Sequence, residues 1–282
     1  MTSLPESLFQ SLPANLQTLC VAWQQAQPLP RENEQRLWQR LRIEWNFHSN
    51  HIEGNTLTYG ETLLLLIHGR TRGEHLLREY EEMRGHDVAI EWVRELARGD
   101  RPVSEGDIRD LNRLVLKEGF WRTAQTAEGE PTRKWIEPGE YKKQANHVLT
   151  QTGEVFYFAS PAETPARMGE FVEWLRNELA QPTLSLASLL TQAHCRFIRI
   201  HPFDDGNGRV VRLLLNYLLL RFGLPPLVIK SSDRTRYLNV IADTDTGNFL
   251  PFEQFILESL AWSLKLCMAA SSQLVSLESD EK

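Results

Sequence analysis

The sequence has 282 residues, 41% of them hydrophobic and 24% charged, which is typical of a globular protein large enough to bury a sizeable core. Its 31 Lys and Arg against 37 Asp and Glu leave a net charge of −6, which argues mildly against bulk binding to nucleic acid or to an anionic membrane and leaves a local basic patch open. Three widely spaced cysteines, Cys20, Cys195 and Cys267, match no disulfide framework or zinc pattern and favour a reducing compartment.

Neither a targeting signal nor a membrane span is predicted. The N-terminus has no basic start followed by an apolar run. The longest apolar runs, residues 63–67 and 213–220, are too short to cross a bilayer. We therefore expect a cytoplasmic protein whose partners include neither nucleic acid nor a membrane.

The first hundred residues are predicted to form a helical N-terminal region. For residues 1–30 the prolines favour a short helix between extended ends. Apolar residues then recur at helical spacing over residues 32–47, 59–68 and 76–97. Thr58 and Glu61 have the spacing of a capping box, as do Ser104 and Asp107 at the start of the next helix.

Residues 119–165 are the least helical part of the chain, because glycine and proline recur throughout them. Within this stretch, β-forming residues occupy 147–150 and 154–158 on either side of a short turn. We predict one β-hairpin there, with loops and turns around it. A connection of this length in a helical protein usually has a function of its own.

Helices are predicted again over residues 165–178, 184–200, 210–222 and 249–268, with a shorter one from 231. The second and third are apolar on nearly all sides and are expected at the centre of the fold. The fold class is therefore all-α with one small hairpin. We assign residues 1–100 to the N-terminal region, 101–270 to a catalytic domain and 271–282 to a flexible tail.

Residues 201–212, with the sequence HPFDDGNGRVVR, gather polar groups between the two central helices. Gly206 and Gly208 tolerate positive φ, so backbone N–H groups around Asn207 can form an anion nest. The helix that follows adds the positive end of its dipole. Arg209 and Arg212 lie in its first turn, where both can reach phosphate oxygens. The stretch predicts a polyphosphate site.

The same stretch contains a candidate base and candidate metal ligands. His201 ends the preceding helix, where a neutral imidazole could take a proton from an attacking hydroxyl. Either Asp204 or Asp205 could hold a Mg²⁺ ion that bridges phosphates. Taken singly, each feature also has a purely structural explanation, such as a helix-terminal histidine or a tight turn. Their combination favours phosphate chemistry.

This stretch resembles the signature of the Fic (filamentation induced by cAMP) family, His-Pro-Phe-x-(Asp/Glu)-Gly-Asn-(Gly/Lys)-Arg-x-x-Arg, without departure. The resemblance implies an all-helical Fic-fold bundle. It also implies transfer of AMP from ATP and Mg²⁺ to a Ser, Thr or Tyr hydroxyl of a target protein. His201 would be the general base and Asp205 the metal ligand, since Asp204 occupies a variable position. The phosphate-binding residues would be Gly206, Asn207, Gly208, Arg209 and Arg212.

Residues 49–54, SNHIEG, fit a second pattern of the family, (Ser/Thr)-x-x-x-Glu-(Gly/Asn). The resemblance implies that this inhibitory motif, with Ser49 and Glu53, lies on a helix N-terminal to the catalytic core. Glu53 would pair with Arg212 and compete with a phosphate for that guanidinium.

The resemblance also assigns roles outside both motifs. The hairpin would be a flap that clamps the target by strand addition, with Val148, Leu149, Thr150 and Gln151 as docking residues. Tyr237 and Asp245 would lie at the adenine. Automodification and formation of a homo-oligomer are left open by the sequence.

Besides another nucleotide donor or a different transferred group, two alternatives to AMP transfer from ATP remain. The first is the reverse reaction, in which the protein removes AMP from a modified protein and Glu53 positions the attacking water. The second is a non-catalytic regulator that binds ATP and docks a partner through the flap.

Overall fold

Two helices that are buried along most of their length form the centre of the molecule, α8 (Leu186–Ile200) and α9 (Asn207–Arg221). Every residue from 209 to 220 is buried, because α9 packs against α8 and against helices on its other sides. This explains why the sequence of α9 is apolar all round. The loop between α8 and α9 carries the polar motif, so the motif is held between the two buried central helices.

The computed structural model describes residues 4–125, 130–145, 147–149 and 155–279. Within these ranges the protein is an all-α fold with two small antiparallel sheets, which confirms the predicted fold class. The other helices are α1 (Glu6–Gln10), α2 (Ala14–Gln25), α3 (Arg31–Ile52), α4 (Tyr59–His68), α5 (Leu77–Arg98), α6 (Glu105–Leu116), α7 (Thr164–Ala180), α10 (Arg234–Asp243) and α11 (Leu250–Ser279). The strands are β1 (Phe120–Gln125), β2 (Pro131–Ile136), β3 (His147–Leu149) and β4 (Val155–Tyr157).

Helices α3, α5 and α6 surround the motif-bearing end of α9. The capping boxes predicted at Thr58 and Ser104 are confirmed at the first residues of α4 and α6. No helix in the described ranges is both long enough and apolar enough for a membrane crossing.

The N-terminal thirty residues differ from the prediction, because they form two helices, α1 and α2, in place of one short helix. The prolines had favoured extended ends in the prediction. In the structure, Pro5 directly precedes α1 and Pro13 directly precedes α2. A proline at a helix start loses no hydrogen bond, since the first N–H groups have no partner within the helix. Buried leucines at positions 8, 12 and 16 then continue one apolar face into the core.

Helix α3 continues to Ile52, beyond the predicted end at residue 47. Asparagines lower helix propensity, but here they are buried and hydrogen-bonded. Asn46 Nδ2 donates to the Met83 carbonyl oxygen of α5 at 2.9 Å, and Asn50 Nδ2 donates to Asn46 Oδ1 at 2.7 Å. Tertiary contacts therefore carry the helix through the polar segment, and Ser49 lies in its last turns.

The prediction of a single hairpin is wrong, because β1 and β2 form a second one where loops were expected. Trp121 is paired with Trp135, and their rings make an edge contact with centroids 5.4 Å apart. Such aromatic cross-strand pairs stabilise antiparallel strands. The two tryptophans are 60% and 44% exposed, so one face of this first hairpin is open to solvent. The glycines and prolines that bound the strands obscured their alternation in the sequence.

The predicted end of the last helix at residue 268 is also too early, since α11 continues to Ser279. Residues 271–279, assigned to a flexible tail, are therefore helical in the structure.

Helices α5 and α6 approach closely at Gly85, where an added Cβ would overlap the carbonyl oxygen of Leu114. We expect Gly85→Ala to lower the free energy of unfolding by about 1–3 kcal/mol, because backbone atoms cannot move aside as a flexible side chain can. Urea denaturation measures this change. The control is Gly169→Ala in α7, where the nearest atom, Glu105 Oε1, would be 3.5 Å from the new Cβ. That variant is expected to gain up to about 1 kcal/mol from helix propensity, and equal losses in both would contradict the packing argument.

Candidate active site

The loop between α8 and α9 is held by asparagine side chains from two elements. Asn207 accepts a hydrogen bond from the Phe203 N–H at 3.0 Å and donates to the Phe203 carbonyl oxygen at 2.8 Å. Asn112 of α6 donates to the Asp205 carbonyl oxygen at 2.9 Å. Phe203 is buried and anchors the loop in the core. These contacts fix the backbone from which the polar groups of the motif project.

The residues that flank this loop, at the end of α8 and before the start of α9, have positive φ angles. His201 has φ 48° at the C-terminus of α8, and Gly206 has φ 80° at the N-terminus of α9. Helix α9 begins at Asn207, three residues before the predicted start. The N–H groups of Gly208 and Arg209 are therefore among the first four of the helix, which lack partners within it. This arrangement provides the donors of an anion site at the helix terminus.

His201 lies between an aromatic ring and a polar contact. Its imidazole stacks on the ring of Phe158, with centroids 4.2 Å apart and an interplanar angle of 16°. Asn207 Nδ2 is 3.2 Å from His201 Nδ1. Burial, followed by the positive charge of Lys142, lowers the pKa of His201 to about 4. The imidazole is therefore neutral at pH 7, the form that can accept a proton.

Lys142 is a site residue that the sequence did not predict. It is buried, and its Nζ donates to the Ile200 carbonyl oxygen at 2.8 Å. Its backbone N–H also donates to the Pro202 carbonyl oxygen at 2.8 Å. Burial lowers the pKa of Lys142 to about 8. A lysine in a glycine- and proline-rich stretch gives no sequence signal of such a position.

We expect Lys142→Met to raise the pKa of His201, because it removes the nearby positive charge that disfavours the imidazolium. The value should stay below 6.5, the ordinary histidine value, since burial persists. An NMR titration of the His201 ring protons measures the pKa. The exposed neighbour Lys143, changed to methionine, is the control and should leave it unaltered. A pKa unchanged in both variants would show that burial alone lowers it.

The low pKa of His201 also has a consequence for folding stability. The unfolded chain binds a proton at this histidine near pH 6.5, whereas the folded chain does so only near pH 4. Between these values the unfolded state holds more protons, so this residue lowers stability progressively as the pH falls through the window.

Arg212 is almost fully buried, at 5% side-chain exposure, and is held by residues of the predicted inhibitory motif. Its Nη2 is 2.7 Å from Glu53 Oε1 and donates to the Ser49 carbonyl oxygen at 2.9 Å, while its Nε donates to Ser49 Oγ at 3.0 Å. Although burial alone would raise the pKa of Glu53, the positive charges of Arg212 and Arg209 hold it below its usual value. Glu53 is therefore an anion at neutral pH.

The carboxylate of Glu53 fills the space in front of the first turn of α9. A Cβ at Gly208 would lie 2.5 Å from Glu53 Oε1 and 3.1 Å from Arg212 Nη1. The absence of a side chain at this position thus allows an anion to approach the helix terminus.

Arg209 is the second buried arginine of the motif and belongs to a network of charges with α5. Its Nη1 is 3.4 Å from Glu82 Oε2, and its Nη2 is 3.9 Å from Asp205 Oδ1. Arg78 connects the network, with Nε 3.0 Å from Glu82 Oε1 and Nη2 3.3 Å from Asp205 Oδ2. Each motif arginine thus has a carboxylate from another helix, Glu53 on Arg212 and Glu82 on Arg209.

The first hairpin places two basic side chains on the aspartates of the motif. Arg122 Nη1 is 3.0 Å from Asp205 Oδ2, and Lys134 Nζ is 2.6 Å from Asp204 Oδ1. The two basic residues are cross-strand partners on β1 and β2, so their side chains share one face of the hairpin. Sequence reasoning missed both contacts because it did not predict these strands.

Asp205 is the candidate metal ligand. The described residues include no cluster of three or more His, Cys, Asp or Glu side chains suited to a metal. A single carboxylate suffices where phosphates and waters complete the coordination of Mg²⁺. Oδ1 accepts the Gly206 N–H at 2.7 Å, whereas the contacts of Oδ2 are guanidinium groups. The chemistry of Oδ2 therefore fits a hard cation.

The predicted flap lies next to His201, the candidate base. Strands β3 and β4 pair with Val148 opposite Phe156 and Leu149 opposite Val155. Thr150 and Gln151 lie outside the described residues. Phe158, which stacks on His201, directly follows β4. Phe158 thus connects the end of the predicted flap to His201.

Tyr237 and Asp245, both predicted to lie at the adenine, differ in burial. Tyr237 is buried, and its hydroxyl lies 2.6 Å from His194 Nε2. It lies close to Arg212 in the core. Asp245 is exposed and 3.6 Å from Arg199 Nη2. Their role at the adenine stays a prediction.

Comparison with known proteins connects this geometry to a family. Residues 102–219, from just before α6 to the last turn of α9, match the model of the Fic/DOC family. "Protein adenylyltransferase Fic" of Drosophila melanogaster is 29% identical over 272 residues, which cover 96% of this chain and 50% of that protein. This chain thus spans about half the length of the curated relatives it matches.

Two solved structures share the fold. Fic-1 of C. elegans (residues 134–508) is 24% identical, with a TM-score of 0.73 over 92% of this chain and 72% of its own, and supports the fold alone. A Fic domain-containing signalling protein of Bacteroides thetaiotaomicron is 41% identical, with a TM-score of 0.83 over 92% of this chain and 97% of its own. With near-complete coverage at this identity and the unbroken motif, this chain belongs to the Fic/DOC family.

Proposed function

We propose that this protein is an adenylyltransferase, which transfers AMP from ATP to a Ser, Thr or Tyr hydroxyl of a target protein. The proposal is based on one observation. A neutral His201 and two buried arginines lie together at the N-terminal end of α9. The name of the Drosophila relatives, protein adenylyltransferase, supports the same activity.

The first turn of α9 would bind the phosphates. The N–H groups of Gly208 and Arg209 and the helix dipole favour the negative oxygens of the triphosphate. Arg209 and Arg212 add guanidinium groups that bind phosphate oxygens in pairs. Asp205 would hold Mg²⁺, which when bound neutralises charge on the phosphates.

The transfer step forms one bond and breaks one. The target hydroxyl oxygen attacks the α-phosphorus, and the bond from that phosphorus to the α–β bridging oxygen breaks, so pyrophosphate leaves. His201 accepts the hydroxyl proton. The low pKa of His201 keeps the ring ready to accept it at neutral pH.

We further propose that Glu53 inhibits the native chain. Its carboxylate contacts Arg212 at 2.7 Å and so competes with a phosphate for the same guanidinium. Ser49, which also bonds Arg212, would keep that arginine in place for the carboxylate. Relief of inhibition then requires Glu53 to leave Arg212.

The target would dock at the flap. An extended segment can add to a strand edge through its backbone, with little demand on sequence. The proximity of β4 to Phe158 and His201 supports this location. Docking there would bring a hydroxyl side chain of the segment towards the base.

The activity is tested with ATP labelled at the α- or the γ-phosphorus, incubated with the Glu53→Gly variant and cell-lysate proteins. We expect the variant to add label from α-labelled ATP, and none from γ-labelled ATP, beyond that found in lysate incubated without it. An added γ-label would indicate phosphoryl transfer and contradict the proposal.

The native chain and the Glu53→Gly variant also distinguish the two alternative functions from AMP transfer. If a previously modified protein loses AMP only when Glu53 is intact, removal of AMP is the reaction. If ATP raises the melting temperature of Glu53→Gly but no label reaches any protein, the chain is a non-catalytic ATP-binding regulator.

A further inference from the structure

We propose that Arg122, on the first hairpin, sets the affinity of Asp205 for a divalent cation. The inference rests on the proposed function, in which Asp205 is the metal ligand. It assigns a role in the reaction to β1 and β2, which lie outside both sequence motifs.

Only one oxygen of Asp205 is suited to a cation. Oδ1 is occupied by the N–H of Gly206 at 2.7 Å, a contact that belongs to the turn itself. Oδ2 is contacted by Arg122 at 3.0 Å and by Arg78 at 3.3 Å. A guanidinium and a metal ion repel each other and compete for the same lone pairs. Cation binding at Oδ2 therefore requires at least one arginine to withdraw.

Arg122 is the arginine that can withdraw. Arg78 is fixed by Glu82, 3.0 Å from its Nε, and by the ring of Phe120, whose centroid is 3.4 Å from its Cζ. Arg122 is 56% exposed, and in the described part of the chain Asp205 is the acidic side chain that pairs with it. An ion pair with one partner this exposed is weak and easily exchanged.

The hairpin nevertheless keeps Arg122 close to its partner. Its cross-strand neighbour Lys134 contacts Asp204 at 2.6 Å, which holds the same face of the hairpin against the motif. Arg122 therefore remains in reach of Asp205 whether or not it makes contact. A permanent competitor of this kind lowers cation affinity without blocking the site.

The charge of Arg122 predicts opposite effects on two binding reactions. Removing it lowers the positive potential at the site, so ATP without metal should bind more weakly. It also frees Oδ2 from a competing cation, so ATP with Mg²⁺ should bind more tightly. The ratio of the two dissociation constants therefore isolates this role from a general loss of structure.

The test measures ATP binding by calorimetry, once in EDTA and once in Mg²⁺, with all variants in the Glu53→Gly background. We expect Arg122→Gln to raise the ratio of the EDTA to the Mg²⁺ dissociation constant about tenfold, the typical effect of one close charge. Arg122→Lys keeps the charge and should leave the ratio near that of the parent.

The matched control is Arg133→Gln. Arg133 adjoins Lys134 on β2 and is exposed, and strand alternation directs it to the opposite face of the hairpin. An equal ratio in Arg122→Gln and Arg133→Gln, with ATP still bound, overturns the role of Arg122 and leaves the proposed function standing. Absence of ATP binding in the parent under both conditions contradicts the proposed function, and the inference with it.

Discussion

Replacing Glu53 with glycine is expected to raise the rate of AMP transfer roughly ten- to hundredfold, the range that corresponds to one hydrogen bond between charged groups. In the native chain the carboxylate holds Arg212 at 2.7 Å, so a phosphate must displace it. Without the carboxylate, Arg212 keeps its bonds to Ser49 and offers its remaining donors to ATP. Initial rates with α-labelled ATP measure the effect, and automodification provides a signal before any target is known.

The control for this change is Glu74→Gly, which removes an exposed carboxylate from a bend outside the site. It should leave the rate of transfer unaltered. A Glu53→Gly variant no faster than the native chain would contradict inhibition by this residue, whatever the activity of the protein.

The ion pair of Glu53 with Arg212 makes a pH-dependent contribution to folding stability. Because the pKa of Glu53 is lower in the folded protein than its ordinary value of 4.5, the stabilisation is complete above that value. It is lost as the pH falls through the folded-state pKa. The difference in melting temperature between the native chain and Glu53→Gly should therefore shrink in acid.

Replacing His201 with alanine, in the Glu53→Gly background, is expected to lower transfer by roughly 10²- to 10⁴-fold, the usual contribution of a general base. The residue is the neutral imidazole stacked on Phe158, and it has the lowered pKa that keeps it unprotonated. Binding of ATP should change little, because the phosphate groups are held by α9 and its arginines. Label transfer and calorimetry measure the two quantities separately.

The exposed histidine His68, in the last turn of α4, is the matched control. His68→Ala should retain the transfer rate of the parent variant. If His201→Ala kept that rate while binding ATP normally, the proton of the hydroxyl would have to go elsewhere, and the assignment of the base would be wrong.

Much of the fold follows from local patterns, because helical periodicity and apolar content identified α5, α8 and α9. The failures came where distant contacts outweighed local preference. Asn46 and Asn50 weaken a helix in isolation, yet their hydrogen bonds, one to α5 and one within α3, carry that helix to Ile52. The first hairpin was missed because the spacing of glycine and proline resembles that of a loop.

Some residues of the candidate site could be predicted from the sequence, and others could not. The motif of residues 201–212 is continuous in sequence, so its groups could be predicted together. Arg78 and Glu82 lie on the polar side of an amphipathic helix, and nothing in the sequence distinguishes a face turned to the motif from one turned to water. Their roles, and that of Lys142, required the tertiary structure.

The tryptophan pair on the first hairpin has an optical consequence. Two indoles with ring centroids 5.4 Å apart in an edge contact couple their electronic transitions, and such coupling changes the near-ultraviolet circular dichroism. Strand alternation directs this pair to the face of the hairpin opposite Arg122 and Lys134, so its signal reports on the pairing of the two strands. The protein thus carries its own spectroscopic reporter for the formation of the first hairpin, without any attached label.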